Sequence, residues 1–250
     1  MKTSLLLLAA IGLSGCSLST IPVPAELSAA PKLSVQGRQG WNPKKHIRFG
    51  QYRTGPVDRS LTYIYERGTV FSTTGDHEQT YAFVLLDQDE VAAYVDCWAD
   101  ARAHQLDLPI VGEITSQGRA SLRCDILPAE DTSRAWALEI ESNRGSAYSG
   151  FLRGIDGRFE VQGTRDLADA RFAAMETTGL YIRRDGRALA AVELVNHGGV
   201  WLDPTVDAPD RSILAGAAAA LLAFEALAED YDPDRVAANL FEDRMRLTAD

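Results

Sequence analysis

The stretch "SILAGAAAALLAFEALA", residues 212–228, limits the possible folds more than any other part of the chain. Asp207, Pro209 and Asp210 precede it and are favourable helix openers, so a helix is predicted over about 209–229. Between Ile213 and Ala228 only Glu225 is polar, and a helix with no polar face has to be covered on every side. A bilayer span needs about 20 apolar residues. Glu225 ends this run after twelve, which makes it a core helix. Gly216 and the alanines on either side make the rod thin, so the surrounding backbone can come close.

The covering material is β-rich. Tyr81, Phe83 and Leu85 alternate, Asp87-Gln88-Asp89-Glu90 interrupts, and Val91 to Trp98 alternates again, which reads as a hairpin. Ile114, then "SQGR", then Ala120, Leu122, Cys124 and Ile126 suggest a second hairpin, and Trp136, Leu138 and Ile140 mark one face of a further strand. Asp185-Gly186 supplies the turn for a hairpin whose second strand places Ala188, Ala190, Val192 and Leu194 on one face. His197-Gly198-Gly199 then turns the chain into Val200 and Leu202. "FLRGIDGRFEV" at 151–161 has the same Asp-Gly-Arg cadence. The predicted fold class is mainly β: an antiparallel barrel or two-layer sandwich of hairpins around the apolar helix, with α+β as the alternative.

A closed sheet would cover such a helix and remove exposed edges. This order of elements resembles the tubby-like and scramblase-like fold, in which an antiparallel barrel encloses a C-terminal apolar helix. The resemblance is architectural, and no ligand-binding residue is carried over from it.

The beginning of the chain addresses location. Lys2, the apolar run Leu5 to Leu13 and the ending Leu13-Ser14-Gly15-Cys16 have the layout of an export signal. The ending resembles the lipobox of bacterial lipoproteins. That resemblance implies cleavage after residue 15, diacylglycerol on the Cys16 sulfur and acylation of the new amino terminus. Ser17, where an aspartate often marks retention at the inner membrane, implies the outer membrane facing the periplasm. The organisation expected is therefore a signal peptide at 1–15, a lipidated N-terminus and flexible tether at 16–36, and one β-rich domain with C-terminal helices at 37–250. The tether expectation rests on the prolines and small residues of "SLSTIPVPAELSAAPKLSVQ".

With 25 basic and 35 acidic residues the chain carries a formal net charge of −10, which argues against nucleic acid as a partner. Residues 32–59 depart from this balance, with seven basic side chains against Asp58 alone. Trp41, Lys44, Lys45, Arg48, Tyr52 and Arg53 form a candidate contact patch for anionic lipid, lipopolysaccharide or an acidic envelope protein. The competing reading has the aromatics packed inward and the cations paired with acids elsewhere in the fold. Cys97 and Cys124 lie on the apolar faces of their strands. In an exported chain they are expected to form a disulfide, with two separate buried thiols as the alternative.

Catalytic signatures are sparse. "GDHEQT" sets Asp76, His77 and Glu78 side by side, where an extended chain points neighbours to opposite faces, and it reads as a solvated turn. His197 also reads as a turn residue. "NRGSAYSG" lacks the glycine spacing of a nucleophile elbow. The aspartates at 230, 232 and 234 mimic a calcium loop but lack its glycine and terminal glutamate, so Asp232 and Pro233 are expected to open a short helix. No cofactor or metal is expected. The function these features support is a lipid-anchored, non-catalytic binding or scaffolding module, with an envelope hydrolase as the alternative.

Overall fold

The computed structural model describes residues 19–38, 46–60, 63–69, 72–108, 112–143 and 146–229. After a single 3-10 turn at Ala25–Leu27 come β1 (Leu33–Gln36), β2 (Arg48–Phe49), β3 (Tyr52–Thr54), β4 (Asp58–Arg59) and β5 (Tyr63–Thr69). The long strands β6 (Ser72–Asp87), β7 (Glu90–Leu108) and β8 (Gly112–Pro128) follow, then β9 (Trp136–Asn143), β10 (Ser149–Gly154), β11 (Gly157–Thr164), β12 (Gly179–Arg184), β13 (Arg187–Glu193) and β14 (Gly199–Leu202). The helix α1 is Ala208–Glu229.

Hydrogen-bonded neighbours run β3-β2-β1-β14-β13-β12-β11-β10-β9-β8-β7-β6, and β3 pairs back onto β6 with Tyr52 opposite Asp87. Twelve antiparallel strands thus close into a barrel. This closure decides between the barrel and the sandwich. β4 and β5 continue along the β6 edge that β3 uses, with Asp58 opposite Ala82 and Tyr63 opposite Glu78. Two of the hairpin turns need left-handed backbone at both central residues. Gln88 and Asp89 have φ of 47° and 76°, and Asp185 and Gly186 have 52° and 80°, the signs that match the twist of the flanking strands.

The connections alternate between the two ends of the barrel. One end carries tight turns such as 88–89, 155–156 and 185–186. The other, the loop end, carries the β11–β12 connection at 165–178 and the β13–β14 turn at 194–198. The chain enters α1 from the tight-turn end. The Asp207 carboxylate accepts the Asp210 amide at 3.0 Å, and its carbonyl accepts that of Arg211 at 2.9 Å, which caps the first turn.

Every residue from Ile213 to Phe224 is buried. The helix touches β7 and β8 on one side and β13 and β14 on the other, positions that face each other across the ring, so it fills the lumen. Its thinness matters at Gly216, where an added Cβ would come within 3.0 Å of the Ile126 Cγ2 on β8. Among the described residues no helix is long and apolar enough to cross a membrane.

Three expectations need correction. The described part of the expected 16–36 tether, residues 19–36, is docked on the barrel. Ile21, Leu27 and Ala30 pack with Tyr181, Ala188, Ala191 and Trp201 as a second apolar cluster, the Tyr181 hydroxyl donates to the Pro22 carbonyl at 2.6 Å, and 33–36 is the strand β1. Ile21, Leu27 and Ala30 dock the segment on the outer wall, while Pro22 contributes its carbonyl and stays exposed. That layer also explains why β13 is buried on both faces. A register shift at Leu189 places Ala188 in the outer cluster and Leu189 and Ala190 in the lumen, so Ala188 does not share the face predicted for it.

Second, "SQGR" makes no turn. β8 runs unbroken through it, and the signal marks a bulge, because Ala101 pairs with Ala120 but Ala103 pairs with Gln117. Third, "GDHEQT" lies within β6, where Asp76 sits opposite Arg102 and accepts from its Nε at 2.5 Å. That bond holds the Asp76 carboxyl below the usual carboxylate range. The segment from 230 onward, with Asp232 and its expected helix, lies outside the described residues.

Candidate functional site

Cys97 and Cys124 are direct register partners on β7 and β8, both buried in the lumen, with Cα atoms 4.1 Å apart and the sulfurs bonded. The bond belongs to the core beside the helix.

The basic segment resolves differently. Cys16, Trp41, Lys44 and Lys45 lie outside the described residues. Arg48 is exposed on β2. Tyr52 leaves the contact patch, because its side chain is only 3% exposed and its ring stands 5.5 Å from that of Phe49. Burial, followed by the nearby Asp87 carboxylate, pushes its phenol up to about 12. Arg53 is forked onto the Asp89 carboxylate through Nε at 3.0 Å and a terminal nitrogen at 2.7 Å, so a partner would have to compete for it. Arg38 is buried and donates to the Leu194 carbonyl at 2.6 Å. The alternation of β3 thus turns Tyr52 into the core and leaves Arg53 on the other face paired with an acid, whereas Arg38, just after β1, is buried against main-chain carbonyls.

Where the N-terminal segment meets the barrel, a set of contacts ties it to the loop end. The buried Glu193 carboxylate accepts the Thr20 hydroxyl, the Ile21 amide at 3.2 Å and the Lys32 ammonium at 2.6 Å. Asn196 donates its side-chain amide to the Ser19 carbonyl at 2.7 Å, and the Ala168 amide donates to the Thr20 carbonyl at 2.8 Å. Arg38, the last described residue before 39–45, reaches Asn196 as well as Leu194. Ser19 and Thr20, Arg38 and the 165–178 connection therefore share one end of the barrel.

The 165–178 connection is pinched at its base, where the Ala174 amide donates to the Arg165 carbonyl at 2.7 Å. Phe172, 85% exposed, stands within that closure, and Met175, 91% exposed, directly follows it. A shallow cleft of about 360 Å³ lies beneath the loop on the outer wall, lined by Gln162, Thr164, Arg165, Asp166, Tyr181 and Arg183 among others. Sequence reasoning passed over these residues, because the stretch has neither alternation nor helical period and a lone Phe or Met in it reads as incidental. Two more exposed aromatics, Tyr94 at 45% and Trp98 at 56%, stand on the outer wall of β7.

Among the described residues no three His, Cys, Asp or Glu side chains are grouped to hold a metal ion. His77 lies inside β6, and His197 is exposed in the β13–β14 turn. His46 faces the Thr54 carbonyl through Nδ1 at 2.8 Å. No family model, curated protein or solved structure matches this chain.

Proposed function

We propose that this chain is a lipid-anchored cell-envelope protein, held at the periplasmic face of the outer membrane through Cys16, whose barrel binds or scaffolds other envelope components without catalysing a reaction. The observation that carries the binding reading is the filled lumen. With α1 buried from Ile213 to Phe224 inside the ring, a ligand is met by the outer surface and not by a central cavity. The Leu13-Ser14-Gly15-Cys16 ending supports the anchor. The Cys97–Cys124 bond suits an oxidising compartment. The closed barrel with its enclosed helix agrees with the resemblance to the tubby-like and scramblase-like architecture.

Trp41, Lys44, Lys45 and Arg48 are the residues through which anionic lipid, lipopolysaccharide or an acidic envelope protein would be held, without the buried Tyr52 and with Arg53 already engaged by Asp89. The location is tested by labelling with radioactive palmitate. Cys16→Ser should abolish incorporation, and undiminished incorporation would refute the anchor. The binding role is tested by crosslinking in the cell from position 44 or 45 and comparing the native chain with the Lys44→Gln, Lys45→Gln, Arg48→Gln variant. Loss of a specific adduct in the variant is expected, and an unchanged adduct pattern would remove the patch from the function.

A further inference from the structure

We infer that the loop carrying Phe172 and Met175 is a second membrane contact, which seats the loop end of the barrel on the bilayer that holds Cys16. The inference rests on the lipid-anchored reading above and adds an orientation to it.

The argument is one of reach. Ser19 and Thr20 are fastened to Asn196, Glu193 and Ala168, so the chain leaves the barrel at a fixed place. Ser19 is three positions after Cys16, and an extended chain advances at most about 3.6 Å per position, so a lipidated Cys16 holds Ser19 within about 11 Å of the bilayer surface. The headgroup layer is itself about 5–8 Å deep on each side. A barrel tethered this closely has few orientations available. Residues 165–178 are the neighbours of that tether point through the Ala168–Thr20 hydrogen bond, and Phe172 follows Ala168 by four positions.

The loop chemistry fits lipid. Exposed apolar residues scattered singly need no explanation. Here two of the most exposed large apolar side chains of the described residues stand three positions apart on one connection, on either side of the Ala174–Arg165 hydrogen bond and among Ala168, Ala170, Ala173 and Ala174. Arg171 is exposed beside Phe172 and can stay at the phosphates while the ring goes deeper. The loop as a whole has two arginines against Asp166, Asp169 and Glu176, so attraction to anionic headgroups does not drive the contact. It should persist in high salt, unlike a contact made by Lys44 and Lys45.

With Cys16 acylated and Cys97 bonded to Cys124, a cysteine introduced on the surface offers the label its own thiol. The full lipidated chain is prepared as Phe172→Cys, Ile155→Cys and Trp98→Cys, spin-labelled and placed in phospholipid vesicles, and collision with oxygen is compared with collision with a water-soluble nickel chelate. Ile155 is a matched control, 79% exposed at the opposite end. An oxygen-to-nickel ratio several-fold higher at 172 than at 155 and 98, unchanged by salt, is expected. If palmitate is incorporated at Cys16 but the 172 label reads as water, or if lipid is seen at 155 or 98 instead, the docking inference is overturned while the anchor stands. Immobilisation at 172 that grows with the protein-to-lipid ratio without lipid depth would identify a second copy as the occupant and overturn it too. Absence of palmitate from the native chain overturns the anchor reading and takes this inference with it.

Discussion

The Tyr81 hydroxyl donates to the main-chain carbonyl of Ala220 at 2.9 Å, tying β6 in the barrel wall to the middle of the enclosed helix. The phenol is fully buried, so the bond forms where water cannot replace it. Tyr81→Phe keeps the ring and removes the donor, and should lower stability by about 1 kcal/mol. Urea denaturation followed by circular dichroism checks this; an unchanged midpoint would show that the bond contributes nothing net.

Burial also raises the Tyr81 phenol well above its ordinary range, and the Tyr52 phenol to about 12. Unfolding frees both to lose their protons near pH 10, so above that pH the folded chain binds more protons than the unfolded one and stability falls as pH rises. For Tyr52 the loss runs from about pH 10 to about pH 12. Denaturation midpoints measured from neutral pH upward should decline in that window, and Tyr52→Phe should flatten the decline while leaving neutral-pH behaviour nearly unchanged.

Gly216 faces the Ile126 methyl at a distance that leaves room for little more than a hydrogen. Alanine there gains about 1 kcal/mol of helix propensity but tightens a contact with a stiff β-branched side chain, so Gly216→Ala should change stability by less than about 1 kcal/mol. Gly216→Leu has no such balance. It should destabilise by at least about 1–3 kcal/mol, seen in thermal melts of the two variants side by side.

The bond between Cys97 and Cys124 spans 27 positions of sequence, and its loss in a Cys97→Ala, Cys124→Ala variant should cost about 3 kcal/mol. Because both sulfurs face the lumen, reductant should open the bond only when the barrel opens. Thiol titration with and without denaturant tests that order; rapid reduction of the folded protein would contradict it.

Glu193→Ala removes the acceptor shared by Thr20, Ile21 and Lys32. The expected cost is about 1–3 kcal/mol, concentrated at the N-terminal segment. Limited proteolysis should show new cleavage between Ser19 and Leu27 while the barrel survives; equal resistance in both proteins would show that the apolar cluster under Ile21 and Leu27 suffices.

What could be read from residues alone follows from how local the physics is. The apolar helix, the Asp185-Gly186 turn and the alternation of Trp136, Leu138 and Ile140 are set by near neighbours and stand in the structure as predicted. The strands β1 to β3 are too short to show a period, and what makes them strands is the closing of the ring onto β6 and β14, a contact between distant parts of the chain. The same distance hid the docking of Ile21 and Leu27, whose partners lie beyond residue 180. Glycine near arginine at 118–119 marked a real irregularity, but sequence cannot distinguish a bulge inside a long strand from a turn between two short ones. Of the contact patch, the burial of Tyr52 required knowing which way β3 faces.

The order of the elements has a consequence for manufacture. One edge of β1 is met early by β2, but the other is met only by β14, and the segment that fills the ring comes later still. Until residues 199–224 have been made, neither the ring nor its filling can be completed, so the long early hairpins have no finished core to bury their inward faces in. Shortening the chain before Ala208 should therefore leave an unfilled ring and not a smaller stable barrel.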